Sequence, residues 1–213
     1  MAFKRLITLL LGAGMGLLVA VASASAEPYR IVGFGDSLMA GYQLGAGESF
    51  PEKLEAALKA KGHDVVIANA GVSGDTTSGG LSRLDWSVPD GTDLVILELG
   101  ANDMLRGVSP SVTEKNLVTM IESLQARDIG ILLAGMVAAP SMGQDYADAF
   151  NAIFPRLAQT YDLDLYPFFL DGVATERGLL LEDGMHPNAE GVDRMVERFV
   201  PTMETVLGEV ASQ

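Results

Sequence analysis

Five short apolar runs, each flanked by turn residues and separated by stretches of helical periodicity, constrain this chain more than any other feature of its sequence. They lie at about 29–35, 64–69, 93–99, 130–136 and 164–169. The runs are β-branched or leucine-rich rather than alternating, the pattern of strands buried on both faces of a parallel sheet. Helices separate them. Ser49-Phe50-Pro51-Glu52 has the form of a capping box and opens a helix to about Lys61, where Gly62 ends it. Ser109-Pro110 opens another, to about Arg127, with Val112, Leu117, Met120, Ile121 and Leu124 on its apolar side. A third covers about 144–161, and the last runs from about Asn188 to Leu207 with Pro201 as a point for a kink. Strands alternating with helices predict a three-layer α/β/α fold around a five-stranded parallel sheet. The simplest arrangement is the flavodoxin-like order 2-1-3-4-5, with right-handed crossovers placing helices on both faces.

Length and composition fit one domain. The 213 residues, 48% hydrophobic, suffice for a single core, expected over 27–213. Residues 1–26 read as a cleaved secretory signal: Lys4 and Arg5 form the charged region, Leu6 to Val21 the apolar region, and Ala24-Ser25-Ala26 the cleavage site. A retained membrane anchor is the competing reading. The short apolar length, the glycines at 12, 14 and 16, and the run of small residues before Glu27 favour cleavage. A periplasmic or secreted product with no stable membrane anchor is expected, as a monomer. With no cysteine in the chain, there is no disulfide framework, thiol nucleophile or lipidated cysteine. Loss of Lys4 and Arg5 with the leader, which holds no acidic residue, takes the formal charge from −14 to −16. Nucleic acid and anionic membrane surfaces are therefore disfavoured partners.

Chemistry concentrates at the ends of the runs. Gly35-Asp36-Ser37-Leu38 follows the first, and one of only two histidines sits far downstream in Asp183-Gly184-Met185-His186. A serine hydroxyl is a poor nucleophile at neutral pH. It needs an imidazole to take its proton and a third group to orient that imidazole, and Ser37, His186 and Asp183 can fill these roles. Each motif alone is ambiguous. Gly-Asp-Ser is also the composition of an ordinary turn, and Asp-x-x-His is also a cap or half a metal site. Two further polar turns follow apolar runs: Asn69 to Thr76 after Val65-Val66-Ile67-Ala68, and Gly100-Ala101-Asn102-Asp103 after Leu94 to Leu99. Ligands of open α/β sheets bind beyond the carboxyl ends of the strands, so Ser37, Gly74, Asn102 and His186 would converge on one rim.

These four blocks, in this order, resemble the SGNH (GDSL) hydrolase family, closest to its bacterial periplasmic thioesterase I, lysophospholipase and arylesterase branch. The resemblance covers almost the whole chain after residue 28. It implies the SGNH hydrolase fold and an esterase in which Ser37 is the nucleophile, His186 the general base and acid, and Asp183 its orienting partner. It also implies an oxyanion hole built from the Ser37 N–H, the Gly74 N–H and the Asn102 side chain. One departure is Ala101, where the commoner family pattern has a second glycine before the Asn-Asp pair; Asn102 itself is kept. The α/β-hydrolase alternative requires a G-x-S-x-G elbow, and no serine here has glycine at both −2 and +2. A carbohydrate deacetylase or acyltransferase on the same scaffold, and a catalytically silent lipid- or sugar-binding module, are the remaining alternatives.

No cofactor and no metal is expected, since the chain has no cysteine and one well-placed histidine. His63 belongs to the turn Lys61-Gly62-His63-Asp64. Asp36 and Asp103 are expected to be structural carboxylates bonding loop amides. The expected substrate is a small-molecule or lipid-like acyl ester. The apolar stretch from Met136 to Tyr146, including Pro140, Met142 and Tyr146, would form one wall of the acyl site, and Met104 and Leu105 another.

Overall fold

A computed structural model describes residues 27–210. The leader expected over 1–26 lies outside the described residues. The strands are β1 (Tyr29–Gly35), β2 (Val65–Gly71), β3 (Leu94–Glu98), β4 (Gly130–Ala134) and β5 (Asp164–Tyr166). They form one parallel sheet in the order β2-β1-β3-β4-β5, so the chain starts near the middle and reverses direction between β2 and β3. That reversal opens a crevice beyond the carboxyl ends of β1 and β3.

The helices are α1 (Ser37–Ala40), α2 (Phe50–Ala60), α3 (Thr77–Ser87), α4 (Ala101–Leu105), α5 (Pro110–Gln125), α6 (Gln144–Asn151), α7 (Ile153–Tyr161) and α8 (Ala189–Val210). α2 and α8 pack together on one face, while α3, α5 and α7 cover the other. β1 and β3 carry fully buried Phe34, Val95, Ile96 and Leu97, as strands covered on both faces must. Under α2 and α8, Phe50, Phe169 and Phe199 meet edge to face with ring centres 4.7–6.1 Å apart. Such pairs add about 0.5–1.5 kcal/mol each beyond the area they bury. Among the described residues no helix is long and apolar enough to cross a membrane.

Several elements differ from the sequence expectation, each for an identifiable reason. The helix expected over 144–161 is two helices meeting at Ala152. Pro155 has no N–H to return to the Asn151 carbonyl, so it sits in the first turn of α7, where no donor is needed. α3 was not anticipated because Gly79 and Gly80 lower helix propensity. A Cβ on Gly80 would stand 2.3 Å from Leu99 Cδ1, so glycine here admits the close approach of helix and strand. β4 and β5 end earlier than expected, β5 just before Pro167. α8 continues through Pro201, held by buried Val196, Phe199, Val200, Met203 and Val206.

At the close of β2, a Cβ on Gly71 would lie 2.3 Å from the Ala40 backbone nitrogen and 2.7 Å from its Cα. The obstacle is main chain and cannot rotate away. Gly71→Ala should therefore cost about 1–3 kcal/mol in urea unfolding, the usual scale of overpacking. Gly208→Ala, in α8 with nothing within 4 Å of its added methyl, should be neutral or slightly stabilising.

Candidate active site

β1 ends at Gly35, and the chain turns at once into α1, whose first residue is Ser37. Asp36 caps that turn, its Oδ1 accepting the Leu38 N–H at 3.0 Å. Glycine is required at 35 because a Cβ there would fall 2.4 Å from Glu98 Oε2. Ser37 is 8% exposed and occupies a helical first position, whose N–H has no intrahelical acceptor.

The histidine arrives from the far end of the chain. A bridge between Leu180 and Pro187, the Leu181 N–H bond to the His186 carbonyl at 2.7 Å, and the left-handed Gly184 (φ 70°) close a tight loop ahead of α8. Within that loop Asp183 Oδ1 accepts the N–H groups of Met185 (2.9 Å) and His186 (3.0 Å). Its Oδ2 lies 2.7 Å from His186 Nδ1, and His186 Nε2 lies 2.8 Å from Ser37 Oγ. Those backbone donors, more than the histidine, pull the Asp183 carboxyl down to about 2, so it is ionised at neutral pH. An ionised acceptor at Nδ1 favours the tautomer that leaves Nε2 free to take a proton from the serine.

Asn102 sits in α4, just beyond β3. Its Nδ2 donates to Asp36 Oδ2 at 2.9 Å, which fixes the amide beside the Ser37 turn and leaves its second N–H uncommitted to that bond. Gly74 lies in the loop after β2 with φ of 81°, and its carbonyl accepts Arg106 Nη2 at 2.7 Å. The Gly74 loop is also tied to α4 from below. Asp103 accepts the Thr77 N–H and hydroxyl at 2.7 and 2.5 Å, and Thr113 Oγ1 at 3.2 Å. Asp36 and Asp103 are thus fully bonded buried carboxylates at the base of the site.

Two buried ionisable side chains beneath the site go beyond the sequence expectation. Arg83 donates to Asp75 Oδ2 (2.7 Å), the Ala70 carbonyl (2.8 Å) and the Gly35 carbonyl (2.9 Å), and lies 4.0 Å over the Phe34 ring. Glu98 is fully buried; its Oε2 accepts the Asp36 N–H at 3.2 Å, and Oε1 has no partner among the described residues. A charged residue within the apolar run Leu94 to Leu99 was the visible signal for Glu98. Arg83, between the leucines of a glycine-containing segment, gave a weaker one.

The residues expected to wall the acyl site divide. Leu105 is exposed and Met142 half-buried. Met104 is buried, and its sulfur accepts the Ala139 N–H at 3.0 Å, so it braces the loop that carries Pro140 rather than presenting an open surface. Tyr146 is likewise committed, donating to the Val108 carbonyl at 2.9 Å and stacking on Phe150. A cavity of about 410 Å³ is lined by Met142, Gly143, Gln144, Asp145 and Tyr146 and by none of Ser37, Asn102 or His186. His63 stays in its turn, 3.6 Å from Glu204 of α8. Among the described residues no group of three or more histidine, cysteine or acidic side chains is arranged to hold a metal ion.

Burial raises Glu98 well above the usual carboxylate range, with the nearby Asp36 carboxyl adding to the effect, and burial lifts Asp36 to about 6. Both carboxyls bind protons more tightly folded than unfolded, so their contribution is complete below about pH 4 and is lost as pH rises through 6 and beyond. Urea midpoints should fall between pH 5 and 8, and Glu98→Gln should flatten that slope. An unchanged slope in the variant would rule out Glu98 as its source.

Comparison with known proteins gives the family of the chain. The GDSL-like lipase/acylhydrolase family profile matches residues 34–194. The arylesterase of Vibrio mimicus is 39% identical over 175 residues, covering 82% of this chain and 88% of the relative. The thioesterase 1/protease 1/lysophospholipase L1 of Escherichia coli K12 is 35% identical over 190 residues, covering 87% and 89%. The crystal structure of AlinE4, described as an SGNH-hydrolase family esterase, superposes with a TM-score of 0.73 at 46% identity, covering 86% of this chain and 99% of that one. With the Ser37, Gly74, Asn102 and His186 blocks all in the matched span, this chain belongs to the GDSL-like lipase/acylhydrolase family.

Proposed function

We propose that this protein is a carboxylic ester hydrolase working through Ser37, His186 and Asp183 and an acyl-enzyme intermediate. The observation that carries the reading is the continuous chain from Ser37 Oγ to His186 Nε2 (2.8 Å) and from Nδ1 to Asp183 Oδ2 (2.7 Å). Ser37 Oγ attacks the ester carbonyl as Nε2 takes its proton, forming the new C–O bond and an oxyanion. The Ser37 N–H, Gly74 N–H and Asn102 amide meet that oxyanion, a charge that exists only near the transition state. Collapse breaks the bond to the alcohol, and His186 returns the proton to the departing oxygen. Water then repeats the sequence on the acyl-enzyme, freeing the acid and the serine. Asp183 stays ionised and holds the imidazole, a role suited to a carboxylate lowered to about 2.

Aryl and alkyl esters with short to medium acyl chains are the proposed substrates. The name of the Vibrio relative supports aryl esters, and that of the Escherichia coli relative extends the same chemistry to thioesters and lysophospholipids. The amino-terminal segment, with Lys4 and Arg5 ahead of an apolar run and Ala24-Ser25-Ala26, supports an exported product.

Ser37→Ala should remain folded yet lose both fluorophosphonate labelling and turnover, by about 10⁶ if it matches other serine triads. An adduct mapped by mass spectrometry to Ser73 or Ser78 in the wild type would overturn the assignment. Asn102→Ala should lower kcat by about 10²–10³ with a much smaller change in KM. A raised KM at unaltered kcat would make Asn102 a substrate-binding group and place the oxyanion elsewhere.

A further inference from the structure

We propose that Tyr42 and Met185 form the subsite for the alcohol portion of the ester and that this subsite selects aromatic alcohols. The inference rests on the hydrolase reading above and adds to it the residues that choose the leaving group.

The site fixes the directions around a tetrahedral carbon bonded to Ser37 Oγ. Its negative oxygen must face Gly74 and Asn102, and its leaving oxygen must face His186 Nε2, the group that protonates it. Side chains flanking His186 therefore meet the alcohol, and the acyl chain takes the remaining direction. One apolar side chain packs on His186 and another precedes it in the same loop. The Tyr42 ring lies with its centre 4.5 Å from that of the imidazole, the planes at 38°. Met185 directly precedes His186 and is fixed by its N–H bond to Asp183 Oδ1. Tyr42 is placed by the same turn that carries the nucleophile, its N–H donating to the Ser37 carbonyl at 3.2 Å.

Neither side chain is explained by stability. Tyr42 is 37% and Met185 50% exposed, and neither belongs to the hydrophobic core or to the shell packed against it. Both leave apolar surface in water at the mouth of the site. Val72 and Leu105 are also exposed, but in the chain they stand near Gly74 and Asn102 rather than His186. An aromatic ring and a polarizable thioether each suit a planar aromatic partner, through ring stacking and sulfur–ring contact. A small aliphatic alcohol would gain neither.

The test must separate recognition from leaving-group acidity. It compares kcat/KM for 4-chlorophenyl butyrate and hexafluoroisopropyl butyrate, whose alcohols are of similar acidity. The wild type should favour the aryl ester. Tyr42→Ala should lower the aryl-to-fluoroalkyl ratio about three- to tenfold, the scale of one aromatic pair, while Tyr42→Phe keeps it. Met185→Ser, a separate variant in a separate loop, should lower the same ratio. The dependence of 4-chlorophenyl esters on acyl length should keep its wild-type shape in all three. An unchanged ratio in both Tyr42→Ala and Met185→Ser, whether or not the rates fall, would overturn the proposal by reducing Tyr42 to a brace for His186. So would a change confined to acyl-length preference. If the wild type hydrolyses neither ester and Ser37 takes no fluorophosphonate, the hydrolase reading itself fails, and this inference with it.

Discussion

The hydrogen bond from Asn102 Nδ2 to Asp36 Oδ2 joins the ends of β1 and β3, the adjacent strands whose turns carry the proposed nucleophile and the proposed oxyanion amide. Everything else at the site is arranged around that contact. Asp36 also accepts the Leu38 N–H, so one carboxylate sets both the pitch of the nucleophile turn and the orientation of Asn102. Its own N–H is held by Glu98 at the end of β3. A buried carboxylate is costly to leave ionised without partners. Here burial works in favour of geometry, because an amide with one N–H committed to a fixed acceptor keeps the other in a fixed direction.

A second frame ties the loop bearing Gly74 to the same two strand ends. Arg83 takes the carbonyls of Gly35 and Ala70 and the carboxylate of Asp75, closing the gap between β1 and β2. Asp103 fastens the head of α3 to α4, and Arg106 takes the Gly74 carbonyl from the solvent side. The proposed oxyanion donors are thereby carried on elements braced from below and above. Preorganised donors of this kind need little rearrangement as charge develops. His186 is held differently, by a compact loop whose Asp183 satisfies two backbone N–H groups before it meets the imidazole. The chain carries 28 acidic against 14 basic residues, a balance that turns polyanions away while leaving neutral esters indifferent to the field.

Much of this was legible in the sequence because local patterns sufficed. The five apolar runs, the capping box at Ser49 and the Ser109-Pro110 start each follow from propensity and periodicity, and the order β2-β1-β3-β4-β5 is the simplest wiring of such a chain. The division of the 144–161 segment is legible in Pro155, whose missing N–H interrupts the helical pattern. α3 was not, since Gly79 and Gly80 argue against a helix until Asp75 and Leu99 are found pressed against them.

The sequence by itself determined the layered parallel sheet and placed Ser37, Gly74 and Asn102 in turns just beyond strand ends, which such a fold gathers on one rim; Asp183 and His186 were legible only as a motif that the family resemblance implied. Only the tertiary structure decided the distances within the Ser37–His186–Asp183 chain, across 149 residues, and the burial that lifts Asp36 and Glu98. It also decided that Met104 and Tyr146 brace loops while the Tyr42 ring packs on the imidazole. The physical reason is that turn chemistry and periodicity are local. Desolvation, hydrogen-bond partners and the face a side chain presents depend on elements far apart in the chain, whose approach is set by packing to within a fraction of an ångström.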